Sequence, residues 1–79
     1  PSFTILTEYE GRIPLYHMDL YRINSAAEFE YLGTDDFIYG EGVTVIEWAE
    51  KAEGFLPEEK VIVNIELAEN NGRRIRIVL

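Results

Sequence analysis

Cysteine is missing from the 79 residues. That excludes a disulfide framework and a thiolate zinc site, and it fits a reducing cytoplasm. Long apolar runs are missing too. None approaches the ~18 residues of a spanning helix, and the amino terminus has no basic region leading into an apolar stretch. The expectation is a soluble, cytoplasmic chain with no membrane partner. Positive charge is scarce, with 7 Lys+Arg against 15 Asp+Glu and a formal net charge of −8. Capture of a phosphate backbone needs clustered cations, so any nucleic acid is expected to be held indirectly, through a partner.

What is present argues for a folded chain. Hydrophobic residues make up 47% and aromatics 13%, too much apolar side chain for intrinsic disorder. The length fits a single domain over 1–79, or part of one, with a marginal core. The first residue is Pro1, without an initiator Met, and the strand-like pattern starts at once, a start that processing, an expression boundary or a fragment would each explain.

In chain order, Ser2 to Tyr9 is rich in β-branched and aromatic residues and reads as a strand. Glu10-Gly11-Arg12 is a turn, and Ile13 to Arg22 returns as the second arm of an antiparallel hairpin. Pro14, with no N–H for the ladder, belongs at that strand's start or on an edge. Ser25-Ala26-Ala27-Glu28 has the form of a capping box. Ala26, Phe29 and Leu32 then share a helical face, and Gly33 supplies a stop. Thr34 to Tyr39 repeats the pattern for one more turn before Gly40-Glu41-Gly42 breaks it.

Val43 to Trp48 is the most continuous apolar run, which predicts a central strand covered on both faces of a parallel or mixed sheet. Ala49 to Pro57 reads as a loop with a helical turn. Lys60–Leu67 and Arg73–Leu79 predict a second hairpin. Pairing Ile65 with Ile77 puts the apolar residues on one face, sets Glu66 opposite Arg76, and leaves Asn70-Asn71-Gly72 as a loop with Gly72 left-handed. Arg73, Arg74 and Arg76 read most simply as a solvated strand face.

Candidate chemistry converges on two acids. In an extended Leu15 to Arg22, residues Leu15, His17, Asp19 and Tyr21 share one face. A carboxylate and an imidazole two residues apart in an apolar strand are costly to bury unless something pairs with them. Glu47 closes the apolar strand, where ligand sites of open α/β sheets lie. An acid on such a rigid support suits Mg²⁺, a hard cation that prefers oxygen ligands. The plainer readings are strand-end carboxylates facing water, a half-buried His17 bonded to backbone, and a packing Trp48. Two further readings stand beside these: a small acidic protein-binding module, and a hydrolase using His17, Asp19 and Glu47 as a transition-metal site.

Several segments taken together carry a resemblance. Pro1-Ser2-Phe3-Thr4, Glu8-Tyr9-Glu10-Gly11, Pro14-Leu15-Tyr16-His17-Met18-Asp19-Leu20-Tyr21-Arg22, Leu32-Gly33 and Ile46-Glu47-Trp48-Ala49-Glu50 occur in an order and spacing that resembles the downstream half of the bacterial TsaE family. The resemblance extends over essentially the whole chain. It implies a cytoplasmic P-loop ATPase that uses ATP and Mg²⁺, working with the proteins TsaB and TsaD in tRNA N6-threonylcarbamoyladenosine biosynthesis at A37. By motif it implies that Asp19 is the essential aspartate near the metal and γ-phosphate. Glu47 matches the acid of a Walker-B-like strand, and both acids are then catalytic and metal-holding. Trp48 and Thr4 fall in nucleotide-binding positions, Thr4 within a switch-like segment in which Ser2 replaces a threonine.

One part of that pattern is missing. A phosphate-binding loop needs Gly-x-x-x-x-Gly-Lys-[Ser/Thr] between a strand and a helix. Lysine occurs only at 51 and 60, and neither follows a glycine. The expected fold is therefore an α/β, P-loop NTPase-like mixed sheet with two antiparallel hairpins, truncated to the C-terminal portion and lacking the P-loop strand and helix. Such a chain should have open apolar faces and sheet edges, and no useful ATPase activity alone.

Overall fold

A computed structural model describes residues 5–79. The order of elements is β1 (Leu6–Tyr9), β2 (Leu15–Asp19), α1 (Ala26–Tyr31), α2 (Asp35–Ile38), β3 (Val43–Glu47), β4 (Ile62–Leu67) and β5 (Arg73–Val78). Short 3₁₀ turns follow β3 and separate β4 from β5. The described strands form a mixed three-stranded sheet ordered β1-β2-β3 and a separate β4-β5 hairpin. β1 runs antiparallel to β2, as expected of a hairpin, and β3 lies parallel to β2.

Strand alternation decides which side of the sheet becomes core. Leu6, Met18 and Ile46 point to the side covered by the helices, where Met18, Leu20, Ile23, Phe29 and Ala52 form the buried cluster. Phe37 of α2 closes the same side, its ring meeting Tyr16 edge-on at 4.9 Å while its carbonyl accepts from Thr44 Oγ1 at 2.9 Å. Gly42 permits β3 to enter against β2. A Cβ there would lie 2.4 Å from the Pro14 carbonyl oxygen, which instead accepts the Val43 N–H at 2.9 Å.

The capping box forms with one shift. Ser25 Oγ accepts the Glu28 N–H at 3.2 Å, but Glu28 Oε1 reaches past the cap residue to the Asn24 N–H at 2.7 Å. Gly33 ends α1 in the left-handed region with φ +69°. Of the expected helical face, Phe29 is buried whereas Leu32 is exposed.

Two expectations need correction. Val43 to Trp48 was expected to be central, but β2 holds the centre and β3 is an edge among the described strands. Val43 and Val45 are 48% and 46% exposed, because helices cover only the opposite side of the sheet. An apolar run shows what a strand can bury, not whether a partner lies across it. The second hairpin pairs Val63 with Ile77, Ile65 with Ile75 and Glu66 with Arg74, two residues away from the expected register. Its three-residue turn is Glu69–Asn71, closed by Ala68 N–H on the Gly72 carbonyl at 2.9 Å. Asn70 and Asn71 take the positive φ values, 58° and 63°, and Gly72 does not. Asparagine tolerates that region better than most residues, so the turn closes one residue earlier than glycine placement suggests.

Candidate functional site

The site lies on the sheet face away from the helices, at the ends of two parallel strands. In the β2–β3 register His17 pairs with Val45 and Asp19 with Glu47. Parallel neighbours in register point to the same face about 4.8 Å apart, so the two acids stand side by side. The strand ends are tied together by the Leu20 N–H donating to the Glu47 carbonyl at 3.1 Å.

Among the described residues each acid is oriented by one partner. Asp19 Oδ1 accepts the Tyr21 N–H at 3.0 Å, a turn that folds the chain over its own side chain. Glu47 Oε1 and His17 Nε2 are 2.6 Å apart. An ionised carboxylate only accepts, so Nε2 carries the proton and donates. The plain expectation for His17, a bond to backbone, is therefore replaced by a bond to a site acid. His17 and Glu47 side chains are 34% and 57% exposed, so the pair is reachable from solvent.

Trp48 follows directly with a left-handed backbone, φ 59° and ψ 40°. For a bulky residue that conformation is strained, and such strain collects at functional sites. Its ring meets the Tyr21 ring at 5.0 Å between centroids. Tyr21 lies beyond the end of β2, so it reaches this place through the turn rather than by strand alternation. Thr4 lies outside the described residues. Lys51 is the participant that the sequence reading passed over, because it entered there only as a lysine unsuited to a phosphate loop. In the fold its ammonium lies over both rings and bonds the carbonyls of Tyr21 and Ile23. Spacing three residues after Trp48 in a helical turn was the available signal.

The donor chemistry sorts the possible metals. Asp19 and Glu47 offer hard carboxylate oxygens, and among the described residues the two bonds above engage one oxygen of each, a donor set that fits Mg²⁺ completed by water or substrate oxygens. Among the described residues no group of three His, Cys, Asp or Glu converges as a metal cluster, so the His17–Asp19–Glu47 transition-metal reading loses its support. A surface hollow lined in part by Phe29, Thr34, Tyr39 and Phe55 shares no residue with the acids.

Comparison with known proteins supplies the identity. The family model for threonylcarbamoyl adenosine biosynthesis protein TsaE matches residues 1–75. The chain belongs to the TsaE family. TsaE relatives named tRNA threonylcarbamoyladenosine biosynthesis proteins include that of Bacillus subtilis, 45% identical over 76 residues, covering 95% of this chain and 47% of the relative. The Treponema pallidum protein is 42% identical over 77 residues, covering 98% of this chain and 57% of the relative. The crystal structure of Bacillus subtilis YdiB superposes with a TM-score of 0.77 at 40% identity, over 92% of this chain and 45% of that one. This TsaE chain thus spans about half the length of the curated relatives it matches. The mixed α/β architecture is common to both structures. Among the described residues no helix is long and apolar enough to cross a membrane.

Proposed function

We propose that this chain supplies the acidic half of a magnesium–nucleotide site in a P-loop ATPase of tRNA N6-threonylcarbamoyladenosine biosynthesis. The observation carrying the reading is the register of Asp19 beside Glu47 at the carboxyl ends of adjacent parallel strands, where open α/β sheets place ligands. Asp19 and Glu47 hold Mg²⁺, directly or through water, and the metal when bound neutralises phosphate charge. His17 keeps the Glu47 carboxylate aimed. Trp48, and Thr4 by motif, border the nucleotide. The amides and lysine that cradle the phosphates are assigned to a part of the protein outside these 79 residues, since neither Lys51 nor Lys60 follows a glycine and both bond backbone carbonyls.

The family names support the pathway, and the wider resemblance supports a cytoplasmic assembly with TsaB and TsaD. With a net charge of −8, this chain meets tRNA through those partners. The test is a chimera in which the 79 residues replace the matched stretch of the Bacillus subtilis relative. Magnesium-dependent ATP turnover is expected from the chimera and none from the chain alone. Hydrolysis by the chain alone would refute the division of the site, and turnover indifferent to Asp19→Asn and Glu47→Gln would refute the assignment of the acids.

A second reading, a protein-docking module, draws on the β4–β5 hairpin, whose Val63, Ile65, Leu67, Ile75 and Ile77 are all more than half exposed. A chimera that binds its partner but shows no ATP turnover even with Asp19 and Glu47 intact, and is indifferent to their substitution, is the result that favours it.

A further inference from the structure

We propose that Lys51 is a positioning residue, whose ammonium fastens the turn after β2 to the turn after β3 and so fixes Asp19 and Trp48 relative to one another. Two backbone carbonyls, those of Tyr21 and Ile23, converge on its Nζ, the second at 3.3 Å. Carbonyl oxygens that converge in this way repel unless a donor lies between them, and an ammonium offers three N–H groups. The same Nζ lies 5.1 Å from the Tyr21 ring centroid and 5.9 Å from that of Trp48, within reach of both π faces.

The consequence for the acids follows from the chain path. Tyr21 is held at both of its backbone polar groups, its N–H by Asp19 Oδ1 and its carbonyl by Lys51. Release of the carbonyl frees the turn whose amide sets the Asp19 carboxylate. On the other side, Lys51 N–H bonds the Trp48 carbonyl at 3.1 Å, so the left-handed Trp48 is closed into the same turn that carries the ammonium. Lys51 therefore links the two strand ends through side chain and backbone together. Its meaning for nucleotide chemistry rests on the function proposed above, but the geometry itself can be tested without nucleotide or metal.

Trp48 is the sole tryptophan, so its fluorescence reports this cluster alone. In the purified chain, Lys51→Met keeps the length and apolar stem while removing charge and donors, and Lys51→Arg keeps both charge and donors. Lys51→Met is expected to shift Trp48 emission to the red, raise its quenching by acrylamide and speed exchange of the Tyr21 amide, with the far-UV circular dichroism retained. Lys51→Arg is expected to hold all three near the original values. Emission and quenching unchanged in Lys51→Met would overturn the proposal, and so would a folded Lys51→Arg variant that behaves like Lys51→Met. Loss of the far-UV spectrum in Lys51→Met would overturn it from the other side, by making Lys51 a requirement of the fold. Since none of these readouts uses ATP or Mg²⁺, failure here is distinguishable from failure of the ATPase reading.

Discussion

His17 Nε2 donates to Glu47 Oε1 at 2.6 Å, across two parallel strands and 30 residues of sequence. The pair is partly exposed, which limits its contribution to folding to about 0.2–1 kcal/mol. A double-mutant cycle with His17→Leu and Glu47→Gln, followed by urea denaturation, should return a coupling energy in that range. A coupling near zero would mean that the bond does not orient Glu47.

Chelation provides a separate check on the acids. In the chimera described above, EDTA should abolish ATP turnover and added Mg²⁺ should restore it, while Zn²⁺ at equal concentration should not. Octahedral oxygen coordination suits two carboxylates and waters, whereas zinc prefers a set containing nitrogen or sulfur donors. Restoration by Zn²⁺ but not Mg²⁺ would point back to His17 as a ligand.

The approach of β3 to β2 depends on Gly42. Its replacement by alanine puts a methyl group 2.4 Å from the Pro14 carbonyl oxygen, which is backbone and cannot swing aside. Gly42→Ala should therefore cost about 1–3 kcal/mol, the usual range for overpacking. An unchanged denaturation midpoint would show that the strands can separate at that end without loss.

The register of the second hairpin makes its own prediction. Asn70 and Asn71 both have left-handed backbones, so Asn71→Val should destabilise the turn by about 1–2 kcal/mol and Asn71→Gly should be tolerated. Under the alternative register, with Gly72 left-handed, the sensitive position would be 72 instead. Cross-strand NMR contacts between Ile65 and Ile75 distinguish the two directly, since these residues face each other only in the observed pairing.

Much of the chain was legible in local pattern. The cap at Ser25, the stop at Gly33, the helical turns on either side of it and the hairpin arms each depend on residues within a few positions of one another. The same holds for Asp19 at the end of β2 and Glu47 at the end of β3, because alternation fixes their shared parity once the strands are drawn. The sequence by itself thus determined most of the elements and the strand-end positions of Asp19 and Glu47. It did not determine the order of strands, so β3 was placed at the centre where β2 stands. Nor could parity choose the β4–β5 register, since a shift of two residues leaves every side chain on its original face. The donation of His17 to Glu47 and the bonds of Lys51 to Tyr21 and Ile23 required the parallel pairing of β2 with β3. Only the tertiary structure brings residues about 30 positions apart within hydrogen-bond reach, and that converted two separate acids into one oriented cluster.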